Sequence, residues 1–278
     1  MTQRNATQTT SGYFDLGDGK LYYETAGEGE TVVLSHAAFL DSRMFDAQWD
    51  VLAQSYRVIR YDMRGYGRSS EATGPTNFRQ DLARLVAHLG VTRAHFVGCS
   101  MGGELVLDLA IEQPSLVASA TVVGSNPSGF EMQGEMPRYF EDMFGAFEKG
   151  DMARANELQI RIWFDGNFRE PNEVDAALRE KALMMNRIPV DRRTFLVAQS
   201  EPVGALTPPA VKRLSEITCP VLAVVGTLDH PELVRAANEI AAGIRNARKA
   251  LMEGTAHVPS FEKPEEFNRI LLDFLKSL

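Results

Sequence analysis

The run Gly98-Cys99-Ser100-Met101-Gly102 constrains this chain more than any other stretch, because it is a Gly-x-Ser-x-Gly between an apolar segment and a helical one. Ala94-His95-Phe96-Val97 ahead of it is short and apolar enough for a buried strand, and Gly103 to Ile111 behind it reads as a helix closed by Pro114. A strand that turns this sharply into a helix strains the serine backbone, and the room for the turn comes from small neighbours, here Gly98, Gly102 and Gly103. The helix then begins directly behind the serine and aims its free amides and positive dipole end at any negative charge forming there. That arrangement suits acyl transfer with Ser100 as nucleophile.

An acid and a base follow in the order this context predicts, Ser, Asp, His. Pro220 to Gly226 is a nearly pure buried-strand run, and Asp229 comes three residues after its last glycine. A carboxylate at the C-terminal end of a strand belongs to the site face of an open parallel sheet, although Asp229 could also cap the helix expected to start near Pro231. The strand one earlier, ending near Asn126, is followed by no carboxylate until Glu131, so Asp229 is the better candidate. His257 lies where a strand-like segment breaks into a loop before Pro264. Of the five histidines, His88 falls on a helical pattern, His95 in a strand and His230 beside Asp229, and His36 reads as a loop organiser. His257 would take the Ser100 proton and return it to the leaving group, with Asp229 fixing its tautomer.

Thr31 to Phe39 reads as a strand ending in a small-residue turn. The Ala38 amide exposed there, with that of Met101, would form an oxyanion hole.

These motifs resemble the α/β-hydrolase superfamily, of the lidded esterase, lactonase and cofactor-free haloperoxidase type. The resemblance runs over most of the chain and rests on His36-Ala37-Ala38-Phe39, on Arg57 to Ser69, on Gly98 to Gly103, on Gly226 to Asp229 and on Gly254 to His257. It implies Ser100 as nucleophile, Asp229 as acid, His257 as base, and Ala38 and Met101 as oxyanion donors. The family usually has His-Gly where this chain has His36-Ala37, so the first donor depends on the backbone state at position 37, since alanine reaches the left-handed region only at a cost. Dehalogenases and epoxide hydrolases of this fold place an aspartate where Ser100 stands.

At 278 residues, 44% hydrophobic and 24% charged, the chain suits one large α/β domain. Strand-like runs near 21–25, 31–36, 56–61, 94–98, 119–124, 220–226 and 248–252 alternate with helical patterns from the third onward, which predicts a mostly parallel central sheet with helices on both faces. The first two runs are expected to form an antiparallel start. The main domain is expected over 13–128 and 214–278, preceded by a disordered polar head over 1–12 that carries an accidental Asn5-Ala6-Thr7 sequon.

Residues 129–213 show helical patterns at 137–149, 151–164, 173–186 and 190–200 with no strand between them, and read as an inserted helical lid. Most of its apolar side chains should pack the lid onto the main domain. A lid over Ser100 must still present some apolar surface to the cavity, and Phe39, Phe144 and Trp163 are the candidates for touching substrate.

Two cysteines, Cys99 and Cys219, are too few for a disulfide framework and are expected as reduced thiols. The chain shows no apolar signal region and no apolar run long enough to span a membrane, which predicts a cytoplasmic protein. A net charge of -8 argues against nucleic acid or an anionic membrane as partner. No metal-ligand spacing and no dinucleotide or phosphate loop is present, so no metal or cofactor is expected.

The partner expected is a small ester or lactone cleaved through an acyl-enzyme. Carbon–carbon bond hydrolysis of dienoic acids and perhydrolysis stand open on the same triad, as does a ligand-sensing protein with little turnover. The apolar lid face could pack on its own main domain or on a second copy in a homo-oligomer.

Overall fold

The computed structural model describes residues 8–201 and 203–278. Eight strands form one sheet: β1 (Thr10–Asp15), β2 (Lys20–Ala26), β3 (Thr31–Ser35), β4 (Arg57–Tyr61), β5 (Ala94–Cys99), β6 (Val117–Val123), β7 (Val221–Gly226) and β8 (Ala247–Met252). Their spatial order is β1-β2-β4-β3-β5-β6-β7-β8, with β1 and β2 antiparallel to their neighbours and all later pairs parallel.

Side chains alternate across the pleat, so each central strand feeds two cores. Val33, Ile59, Phe96, Val122 and Val225 meet α2 (Phe78–His88), α3 (Met101–Glu112) and α8 (Pro231–Gly243) on one face. Leu34, Val58, Val97, Val123 and Val224 meet α1 (Asp46–Leu52) and α10 (Pro264–Lys276) on the other, with the short α9 (Pro259–Glu262) alongside. β5 and β7, which carry the chain to Ser100 and toward Asp229, are buried at every residue, which explains why both are apolar apart from His95, whose Nδ1 lies 2.8 Å from Ser119 Oγ.

Two expectations about the N-terminal part are corrected. The head is not disordered as far as residue 12: Thr10 to Asp15 pair with β2 from Thr10↔Thr25 to Asp15↔Lys20. This edge strand alternates exposed and half-buried side chains, so no apolar run marks it. Residues before Gln8, including the sequon, lie outside the described residues. The run near 31–36 is also not part of an antiparallel start, since β3 lies between β4 and β5 and parallel to both. Burial on both faces of Val32 to Ser35 is what a central strand requires.

Between β6 and β7 the chain inserts α4 (Phe140–Glu148), α5 (Met152–Ile160), α6 (Ala176–Asp191) and α7 (Thr194–Ala198), with Arg161–Asp165 continuing α5 as a π-helical turn. Met143, Phe147, Leu158, Ile162 and Val190 form a small core within this insertion. Phe164 and Met185 instead join the core under the sheet. Among the described residues, no helix is long and apolar enough to cross a membrane, and Cys99 and Cys219 are both free.

Candidate active site

Ser100 sits between β5 and α3 at φ 53, ψ −121, a strained state for a residue with a side chain. Its N–H donates to the Val123 carbonyl (2.8 Å), and its own carbonyl accepts from Gly103 N–H (3.0 Å) and Glu104 N–H (3.1 Å), so the turn is fixed from both sides. Gly102 is the tightest requirement: a Cβ there would fall 2.2 Å from the Ser35 carbonyl oxygen. The start of α3 is thereby pressed against the turn after β3.

That contact brings Ala38 and Met101 to the rim of one cavity with Ser100. Among the described residues, neither the Ala38 nor the Met101 N–H meets an acceptor, leaving both amides free for an oxygen. Neither Ala37 nor Ala38 has a positive φ, so alanine at position 37 carries no left-handed strain. The turn is held by His36, whose Nε2 accepts from Met63 N–H (2.8 Å), which leaves Nδ1 to donate to the Ala37 carbonyl (2.9 Å). Burial lowers the pKa of His36 and favours this neutral form. His36 is thus the loop organiser that its position suggested.

Asp229 and His257 come from the ends of β7 and β8 and are both buried. Gly226 makes their approach possible, since a Cβ on it would lie 2.2 Å from the carbonyl oxygens of both Thr255 and Ala256. Both Asp229 carboxylate oxygens lie 3.1 Å from His257 Nδ1, and His257 Nε2 lies 2.8 Å from Ser100 Oγ. A carboxylate can only accept, so Nδ1 carries the proton and Nε2 keeps a lone pair toward the serine hydroxyl. The helix cap considered for Asp229 is made by its neighbour: His230 Nδ1 accepts from Glu232 N–H at 3.3 Å.

The His257 loop is also tied to the helical insertion. Glu262 Oε1 accepts from Ala256 N–H (2.8 Å), while its Oε2 pairs with Arg169 (2.8 Å). Arg169 in turn donates to the carbonyls of Phe164 and Asp165, each at 2.8 Å, at the end of the π-helical turn. That turn presents Trp163 to His257, and π-helical turns are frequent at functional sites.

The cavity above Ser100 holds about 480 Å³. Phe39 and Trp163 line it as expected, but Phe144 does not. Phe144 packs between Phe140 and Phe195, at 5.1 and 5.9 Å between ring centroids, and it is Phe195 that reaches the cavity. Residues two and three turns into the helical pattern could not be oriented without the packing of α4 on α7.

Sequence reasoning also missed a polar wall. Glu104, Asp108, Asn126 and Arg79 line the side of the cavity beside α3. Arg79 is the one cation lining it among the described residues, and its guanidinium is engaged by Asp108 (3.1 Å), Glu112 (2.9 Å) and the Gly204 carbonyl (2.7 Å). Glu104 Oε2 accepts from Asn126 Nδ2 at 3.0 Å. Burial, reinforced by the nearby Asp108 carboxylate, raises the Glu104 pKa to about 7 against the pull of that hydrogen bond. The signal was present in the spacing, because Glu104 follows Ser100 by four residues and so faces the same way one turn further along the helix.

Comparison with known proteins agrees with this geometry. The family profile described as alpha/beta hydrolase fold matches residues 30–264. The chain is 28% identical over 273 residues to a 2-hydroxy-6-oxo-6-phenylhexa-2,4-dienoate hydrolase of Comamonas testosteroni, covering 94% of this chain and 93% of that one. It is 28% identical over 260 residues to a pimeloyl-[acyl-carrier protein] methyl ester esterase of Yersinia pestis, covering 92% and 97% respectively. Among solved structures it superposes on Est816, described as an N-acyl homoserine lactone degrading enzyme, with a TM-score of 0.79 and 24% identity over 95% of this chain and all of that one. With an eight-stranded sheet of this order and a profile match spanning most of its length, the chain belongs to the α/β-hydrolase fold family.

Proposed function

We propose that this hydrolase cleaves a carboxylic ester or lactone through an acyl-enzyme on Ser100. The observation that carries the reading is the unbroken hydrogen-bonded line from Asp229 through His257 to Ser100 Oγ, opening into a cavity. In this reading His257 Nε2 takes the hydroxyl proton as Ser100 Oγ bonds to the carbonyl carbon. The oxyanion rests on the Ala38 and Met101 amides, each donor in such a site being worth about 3–4 kcal/mol. Collapse breaks the carbon–oxygen bond, and the alkoxide leaves with the proton held by His257. Water, deprotonated by the same nitrogen, then attacks the acyl carbon, and Ser100 regains its proton as the acid departs. Asp229 keeps the imidazole in one tautomer throughout.

The insertion acts as the lid of this site, with Trp163 and Phe195 as its apolar contribution. One relative acts on a dienoate, an anion by its name, and another on a methyl ester. The ester or lactone reading is preferred because, among the described residues, the one cation lining the cavity is already occupied by two carboxylates and none is left free to hold a carboxylate substrate.

The test is hydrolysis of p-nitrophenyl esters of increasing acyl length beside a set of lactones, with wild type and Ser100→Ala. Activity lost in the variant, together with labelling of Ser100 by a fluorophosphonate, supports the reading. A folded wild type that neither turns over nor labels overturns it in favour of a binding protein.

A further inference from the structure

The cavity is chemically lopsided. Phe39, Trp163 and Phe195 offer largely apolar surface and no acceptor group, whereas the wall beside α3 offers carboxyl groups. On that wall Asp108 is satisfied, with Oδ1 accepting from Ser128 Oγ (2.6 Å) and Oδ2 from Arg79 (3.1 Å). Glu104 is not. Its Oε2 is held by Asn126, but among the described residues its Oε1 has no hydrogen-bond partner, and no cation pairs with the side chain. Nor does Oε1 belong to the fully enclosed polar atoms that lack a partner, so it opens toward the cavity. A carboxyl oxygen left free in a space this sheltered is a recognition element waiting for a donor.

We propose that Glu104 selects the substrate by charge: its free Oε1 accepts a hydrogen bond from an N–H or O–H group on the substrate, favouring an ammonium and rejecting a carboxylate at that place. This rests on the serine hydrolase reading above. The discrimination has a built-in dependence on pH. When Glu104 is protonated, the carboxyl still accepts through Oε1 and tolerates a nearby anion; once ionised, it attracts the ammonium and repels the carboxylate. With its pKa raised to about 7, that change falls in the neutral range. The other charged groups facing this space are Asp108 on the same helix, Arg79 on α2, Glu201 after α7 and, beyond Ser100, the imidazole of His257. Arg79 and Asp108 are bound to each other.

The experiment compares three methyl esters of straight-chain acids of equal length whose far ends carry an ammonium, a hydroxyl or a carboxylate. kcat/KM is measured for each between pH about 5.5 and about 8.5, a range in which those end groups do not titrate. Any effect of pH on the Ser100 machinery is common to all three esters and cancels in the ratios. The ammonium-to-carboxylate ratio should rise about tenfold with pH in the wild type, as expected for one added charge at cavity distances. In Glu104→Gln, which can keep the hydrogen bond to Asn126, the ratio should become flat. A ratio that is flat in the wild type, or one that still rises with pH in Glu104→Gln, overturns the proposal. A flat wild-type ratio overturns the proposal even if that variant does not fold, and Glu104→Ala serves as a second variant in which the ratio should likewise be flat. Retained fluorophosphonate labelling with a flat ratio sinks the role of Glu104 alone, whereas loss of labelling and of all three activities sinks the serine hydrolase reading with it.

Discussion

The Trp163 indole lies against the His257 imidazole, with ring centroids 4.7 Å apart and planes inclined by 39°. Phe39 approaches the same imidazole at 6.3 Å, so the base is bracketed by two aromatic rings that keep bulk water from it. Trp163→Ala should therefore lower kcat/KM for apolar esters by about tenfold to a hundredfold, the loss of roughly 1.5–3 kcal/mol of apolar contact. Trp163→Phe should recover most of it, as steady-state kinetics on the ester panel would reveal.

Arg169 joins the turn carrying Trp163 to the loop carrying His257, and the Glu262 side chain beneath it is only 8% exposed. Arg169→Met leaves that carboxylate without its cation, and stability measured by urea unfolding should fall by about 3 kcal/mol. Adding Glu262→Gln should restore part of the loss, because the uncompensated charge is then gone. A single variant as stable as the wild type would refute the coupling.

The positive φ of Ser100 stores strain that a residue without a side chain escapes. Ser100→Ala and Ser100→Gly should both lose activity by about 10⁴-fold or more. They should differ in melting temperature, with the glycine variant the more stable of the two. Calorimetry on the pair separates the reacting group from the backbone that presents it.

Asp229→Asn keeps the shape of the acid but can donate to Nδ1, which turns the imidazole to the tautomer that cannot accept the serine proton; a loss of about 10⁴-fold in kcat is expected. Gly226→Ala should disable the same pair by a different route. Its Cβ would collide with the Thr255 and Ala256 carbonyls, pushing the His257 loop away from β7. Fluorophosphonate labelling of Ser100 should slow in both variants.

The Glu104 carboxyl also makes a prediction about stability. Its pKa rises from 4.5 to about 7 on folding, so the folded chain holds a proton there that the unfolded chain has released. The stability associated with this proton is present below pH 4.5 and is lost as the pH rises through about 7. Relative to the wild type, Glu104→Gln should gain stability progressively across that window, by about 1–3 kcal/mol above it. Unfolding of both proteins at a series of pH values would show the gap opening, and a constant gap would disprove the assignment.

The parts of this fold that could be read from residues are those where burial leaves a strong pattern. β7, and β5 apart from His95, are apolar because both faces are covered, and the elbow glycines and Gly226 stand where no side chain fits. β1 was invisible because an edge strand with alternating exposed residues lacks that pattern. The position of β3 inside the sheet was misjudged because pairing order is set by how the β2 chain crosses to β4, which no local run encodes. Phe144 and Phe195 illustrate the remaining limit. Both are aromatic residues on helical patterns, and only the packing of one helix on another decides which ring reaches the cavity.

The order of parts along the chain has a further consequence. Every residue lining the cavity falls between Ala38 and Ala205, while the acid and the base come later, on the ends of β7 and β8. Recognition and proton handling are therefore written in separate stretches of sequence. Selection can redraw the one by substitution within α5, α7 and the α3 wall while the other is inherited intact, so a chain of this kind changes diet more readily than it changes chemistry.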